Sequence, residues 1–163
     1  MARNVPQILQ AGLNCMSMKN VSVFRRGFAV WLVIIFAEFL HGTARVLLLE
    51  PVVGDFRARQ ITVLTGILII LTISGFFVRW LRAANNFQLF FVGVMWLALT
   101  AAFEISLGRM LNLSWERILS DYDIFNGGLM PLGLLFLVFA PFIANGLRKK
   151  FSRRREMPAF KGR

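Results

Sequence analysis

Apolar positions in this chain gather into four long runs separated by short polar breaks. Residues 28–49 form the first run, interrupted only by Glu38, His41 and Arg45. A helix needs roughly 20 residues to cross a bilayer, so this run is long enough to span one. Glu50-Pro51 is expected to end it, because proline disfavours helical backbone in the residue before it. A loop over 52–60, carrying Asp55, Arg57 and Arg59, should lead to a second span over 61–80. That span holds no charge before Arg79, and its Thr62, Thr65, Gly66, Thr72, Ser74 and Gly75 suit close helix packing in lipid. Residues 82–86 read as a tight turn. The third span covers 87–107, with Gly108-Arg109 marking its end, and the fourth covers 129–147 with an internal Pro141 expected to kink it.

The connection 110–128 has its own pattern. Trp115, Ile118, Leu119 and Tyr122 recur at helical spacing behind Ser114, a good N-cap residue. This predicts a short interfacial helix with Trp115 and Tyr122 as anchors at headgroup level. Asn126-Gly127-Gly128 should turn the chain into the last span. Near the start, Val5, Ile8, Leu9, Leu13 and Met16 repeat at helical spacing opposite Asn4, Gln7, Gln10 and Asn14, as in a helix lying on the membrane surface. The expected fold is therefore all-α, a four-transmembrane-helix bundle. Residues 1–26 form an N-terminal segment, 27–147 the membrane domain and 148–163 a basic tail.

Composition supports this. Of 163 residues 57% are hydrophobic and only 17% charged, below the roughly 25% of soluble domains. The single cysteine, Cys15, cannot form an internal disulfide. Arg25, Arg26 and the apolar stretch after them resemble a signal peptide loosely. However, the run continues past Glu38 without a small-residue cleavage site, so a retained first span is expected.

Charge sets the expected orientation. Four spans put both termini on one side, which carries Arg3, Lys19, Arg25, Arg26, Arg79, Arg82 and the eight basic residues of the tail against the single acid Glu156. The opposite side and outer spans carry Arg45, Arg57, Arg59, Arg109 and Arg117 against seven acids. The positive-inside rule then places both termini in the cytoplasm, as in a protein of the bacterial inner membrane. In the tail, Arg148, Lys149, Lys150, Arg153, Arg154 and Arg155 should contact anionic lipid, each worth about 1 kcal/mol near the surface. Phe151, Met157, Pro158 and Phe160 would add apolar anchors if the tail docks on a partner protein. Nucleic acid is not an expected partner, because no recognition fold accompanies the charge.

An ionisable group deep in a bilayer costs on the order of 3 kcal/mol or more. Glu38, His41 and Arg45 fall at i, i+3 and i+7, on one helical face. With Glu104 and Arg109 they form the candidate ligand-binding or proton-handling set: a carboxylate beside histidine tunes its charge, and arginines hold anionic groups. Lipid headgroups, quinones and protons are the ligand classes considered; no cofactor is expected beyond a quinone or lipid. Glu38-x-x-His41 resembles one half of a di-iron motif, giving Glu38, His41 and Glu104 as a weak metal set, but no second histidine exists. A structural charge network that sets helix register is the plain alternative.

Both odd-numbered spans carry E-x-x-x-G followed by arginine, around Glu38 and Glu104. The match is short and its Glu-to-Arg spacing differs, so chance or simple helix-end composition explains it better than a parallel repeat. No nucleophile elbow, dinucleotide fingerprint or phosphate loop occurs. The leading expectation is thus a non-enzymatic accessory or structural subunit of a larger membrane complex, partnered by other subunits or by itself. A small transporter or ligand-binding protein using the polar set is the alternative.

Overall fold

The computed structural model describes residues 5–126 and 128–156, with side chains described for 21–125 and 128–151. Among the described residues the fold is entirely helical, and four helices are long and apolar enough to cross a membrane: Val21–Val53, Asp55–Leu81, Asn86–Met110 and Met130–Phe151. In chain order the α-helices are α1 (Val5–Ala44), α2 (Glu50–Val53), α3 (Asp55–Leu81), α4 (Asn86–Met110), α5 (Trp115–Ser120) and α6 (Met130–Glu156). Arg3, Asn4, Gly127 and residues 157–163, including Met157, Pro158 and Phe160, lie outside the described residues. The side chains of 5–20 and of Arg153, Arg154 and Arg155 lie outside the described ones.

The first span does not stop at Glu50-Pro51. After Ala44 the backbone widens into a π-helical segment, Arg45–Leu49, and the Glu50 N–H reaches back to the Arg45 carbonyl. Pro51 then occupies the first turn of α2, where its missing N–H has no partner to lose. The expected loop 52–60 shrinks to one residue. Gly54 has φ +81° and ψ 156°, a region nearly closed to side-chain-bearing residues, and α3 begins at once with Asp55. Helix α1 likewise runs unbroken from Val5, so the N-terminal segment is not set off as a separate element.

The other breaks follow local chemistry. Arg82 takes a left-handed conformation after α3, and Asn85 caps α4 by accepting from the Gln88 N–H at 2.9 Å. Helix α4 passes Gly108-Arg109 and ends at Met110, with left-handed Asn112 beyond it. Ser114 caps α5 through the Arg117 N–H at 3.2 Å. Pro141 lies inside α6 and is buried.

Around the bundle, α1 packs on α3 and α4, and α6 packs on the same two helices. The core holds Val30, Trp31 and Ile34 of α1, Ile70 and Val78 of α3, Leu89, Val92 and Trp96 of α4, and Leu137 and Ala140 of α6. Two buried indoles tie α1 to α4: Trp31 Nε1 donates to Thr100 Oγ1 at 3.0 Å, and Trp96 Nε1 donates to the Gly27 carbonyl at 2.8 Å. At the α4–α6 crossing Gly93 lies against the Val138 carbonyl so closely that a Cβ there would fall 2.0 Å from the oxygen. Van der Waals contact between backbones of this kind is the main force holding helices together in lipid.

Candidate functional site

The polar residues collect at the end of the bundle where α1 gives way to its π segment. Helix α1 presents Glu38 and His41 one turn apart, and Glu38 reaches the flank of α3 at Gly66, where a Cβ would sit 3.0 Å from Glu38 Oε2. Glycine therefore makes room for the carboxylate between the helices. The imidazole of His41 bridges two partners: Nδ1 is 3.4 Å from Glu38 Oε2, and Nε2 is 2.8 Å from Thr65 Oγ1. Thr65 is also within bonding distance of the Ile61 and Thr62 carbonyls, at 3.0 and 3.2 Å. An Nδ1–H tautomer donates to Glu38 and accepts from Thr65, whereas the imidazolium donates to both. The triplet thus keeps its bonding in two charge states. Glu38 Oε1 is buried with no hydrogen-bond partner among the described residues.

Helix α4 brings Glu104 within electrostatic reach of Glu38, Asp121 and Tyr122. The Tyr122 hydroxyl is buried and lacks a hydrogen bond of ordinary geometry among the described residues, although it lies beside Glu104. Burial pushes the Tyr122 phenol above its ordinary value of 10.0, and the neighbouring Glu104 carboxylate pushes it further.

A chain of ion pairs surrounds this centre. Arg45 lies 3.7 Å from Glu50 and 3.4 Å from Asp55. Arg59 pairs with Asp55 one helical turn earlier and with Asp121 at 2.8 Å across the bundle. Arg117 closes the chain on Asp121 at 3.0 Å. None of these pairs involves Glu38 or Glu104, so the arginines are taken up by the carboxylates of α2, α3 and the segment after α5. The two intramembrane carboxylates are left to the imidazole, the hydroxyls and each other.

The structure brings Glu38, His41 and Glu104 to this site. It places Arg45 at the edge, paired with Glu50 and Asp55, and it does not bring Arg109 there. Arg109 stacks over the Trp115 ring at 5.2 Å and reaches the Leu113 carbonyl at 3.4 Å. Trp115, expected as an anchor, is exposed, whereas Tyr122 turns inward against the core. Among the described residues no group of three His, Cys, Asp or Glu side chains is arranged to hold a metal ion.

Thr65, Gly66, Glu50, Asp55, Arg117 and Asp121 were not assigned to the site from the sequence. Asp55 and Arg59 sit at i and i+4, a pairing visible once the segment is known to be helical. Thr65 and Gly66 looked like ordinary small packing residues. Arg148, Lys149 and Lys150 are exposed on α6 at the opposite end, where a shallow cavity of about 440 Å³ is lined by Asn85, Asn86, Asn145 and Lys149.

Comparison of the chain with protein-family models, with curated proteins and with solved structures gives no match.

Proposed function

We propose that this multi-pass membrane protein handles protons at the Glu38–His41–Thr65 triplet and the facing Glu104–Tyr122 pair. The observation that carries this reading is the division of charge at the site. Arg45, Arg59 and Arg117 are all engaged by Glu50, Asp55 and Asp121. Among the described residues Glu38 and Glu104 are paired with no arginine, so an anionic headgroup at the site would meet two carboxylates. A proton has a path of exchangeable partners, from carboxylate to imidazole to hydroxyl. Intramembrane ionisable residues are costly and mark relays and ion pathways where they persist.

In this reading the protein lies in the bacterial inner membrane with both termini in the cytoplasm, as the distribution of lysine and arginine favours. The site then sits towards the outer leaflet, α5 rests at that interface with Trp115 at headgroup level, and Arg148, Lys149 and Lys150 lean on anionic lipid. The test is reconstitution into liposomes holding a pH-sensitive dye, with an imposed potential. Glu38→Gln and His41→Ala should each remove the proton flux of the parent protein. Flux equal to that of empty liposomes for the parent, or variants equal to the parent, would reject the reading.

A second reading, an accessory subunit of a membrane complex, has one observation in its favour. The apolar window of the first span is 6% buried, against 28% for each of the other three, so α1 offers most of its surface to something outside the bundle. Native sizing after gentle extraction separates the two: a large co-migrating assembly supports the subunit, a small particle the proton carrier.

A further inference from the structure

Sliding the chain along itself by 66 residues lays the first half on the second. Without a gap, residues 21–55 then match 87–121 at Phe24/Phe90, Gly27/Gly93, Glu38/Glu104, Gly42/Gly108, Glu50/Glu116 and Asp55/Asp121. Sequence identity alone would be thin support. The buried positions follow the same shift: Val23, Gly27, Val30 and Ile34 of α1 fall on Leu89, Gly93, Trp96 and Thr100 of α4, and all eight are buried. The matched glycines each make room for a neighbouring helix, Gly27 for Val92 and Met95 of α4 and Gly93 for the Val138 backbone of α6, although these partners are not themselves equivalent.

Both halves also proceed in one order. A long helix carries the glutamate, a short helix follows (α2, then α5), an aspartate comes after it, and a second long helix returns. The packing agrees: α1 lies on α3 as α4 lies on α6, and the halves join through α1 on α4 and α3 on α6. The two hairpins therefore lie side by side in the same orientation, each helix against its counterpart, which is the orientation of a parallel repeat.

We infer that the chain is such a tandem repeat, and that Glu38 and Glu104 are equivalent residues of one shared site between its halves, closed at the aspartate end by Arg59. The two carboxylates are within electrostatic reach of each other. The single guanidinium of Arg59 holds both equivalent aspartates, Asp55 and Asp121. One arginine thereby fastens the two halves together beside the site. The halves differ at His41 and Tyr122, whose counterparts are Leu107 and Phe56. The imidazole therefore serves one carboxylate and the phenol the other. The chemistry assigned to the shared site rests on the proton-handling reading; the repeat does not.

The test uses the full chain in proteoliposomes and a second readout independent of flux. Glu38→Gln and Glu104→Gln should each reduce proton flux to the level of empty liposomes, and the double variant should fall no lower. Arg59→Gln should increase passive flux by unfastening the halves. Partial losses that add up in the double variant would mean two separate sites and overturn the inference, as would Glu104→Gln or Arg59→Gln behaving like the parent. Infrared difference spectra across an acid titration supply the second readout. If the site is shared, Glu38→Gln displaces the carboxyl band of Glu104, and Glu104→Gln displaces that of Glu38. Undisturbed bands would overturn the shared site even for a protein that moves no protons. Displaced bands with no flux in the parent would retain it and reject the proton-handling reading alone.

Discussion

Replacing Gly93 with alanine adds one methyl group where the structure has least room. The new Cβ would lie 2.0 Å from the Val138 oxygen, 2.8 Å from its carbonyl carbon and 2.9 Å from its Cα. Because these are backbone atoms of α6, no rotamer change relieves the clash. Ordinary contact begins at 3.4 Å, so α4 and α6 must part by an ångström or more. A radial gap of that size forfeits roughly a quarter to a half of each van der Waals well along the crossing. Overpacking of this kind costs about 1–3 kcal/mol, and a rigid obstacle belongs at the upper end. Gly75→Ala is the matched control, since no atom lies within 4 Å of its added Cβ and alanine is the better helix former. The assay is unfolding in mixed micelles with increasing sodium dodecyl sulfate, followed by fluorescence of the four tryptophans, of which Trp31 and Trp96 are buried in the core. If Gly93→Ala lies within about 0.5 kcal/mol of Gly75→Ala, an ordinary surface effect, the close crossing is not what holds α6 on α4.

Further outcomes can be checked with the same preparations. Tyr122 is the only tyrosine, so the near-ultraviolet phenolate band reports it alone. Its folded-state value is raised, so the neutral phenol favours the fold below the unfolded value, and that contribution is lost as pH climbs through the folded value above 10.0. Glu104→Gln should lower the midpoint without returning it to 10.0, because burial is the larger cause; a parent midpoint at the ordinary value of about 10 contradicts the placement. Gly66→Ala puts a methyl 3.0 Å from Glu38 Oε2, the far end of a flexible side chain. Stability should change by less than about 1 kcal/mol while proton flux falls, and unchanged flux would detach Glu38 from its seat on α3. Trp31→Phe removes the bond to Thr100 and should cost about 1 kcal/mol, because the threonine hydroxyl can turn to its own helix. A loss as large as that of Trp31→Ala, about 3–5 kcal/mol, would show that the indole's hydrogen bond, and not its bulk, joins α1 to α4.

The four spans and the Ser114 cap were legible because each is a local property, a run of apolar residues or one hydroxyl before a helical pattern. The end of the first span was misread because proline was weighed as a helix stop. The π segment Arg45–Leu49 restarts the helix so that Pro51 lands where its missing donor is harmless. That misplacement hid the pairing of Asp55 with Arg59, which looked like loop charges and are a helical pair at the site. Arg109 was assigned to the polar cluster by depth alone, whereas the Trp115 ring, six residues on, claims its guanidinium. Thr65, Gly66 and Asp121 belong to the site through contacts between helices, and nothing in their own neighbourhoods along the chain marks them. The repeat was half visible for the same reason. Glu38 and Glu104 stood out, but the burial shared by α1 and α4 required the fold.

The reversal at Gly54 bears on how this protein enters the membrane. One residue between the first two spans leaves no tether that could wait outside while the second helix is still being made. Synthesis must deliver them as a hairpin, in a single translocation event. A chain halted at Val53 would offer the bilayer a naked carboxylate at position 38, with neither the notch at Gly66 nor the hydroxyl at Thr65 to receive it.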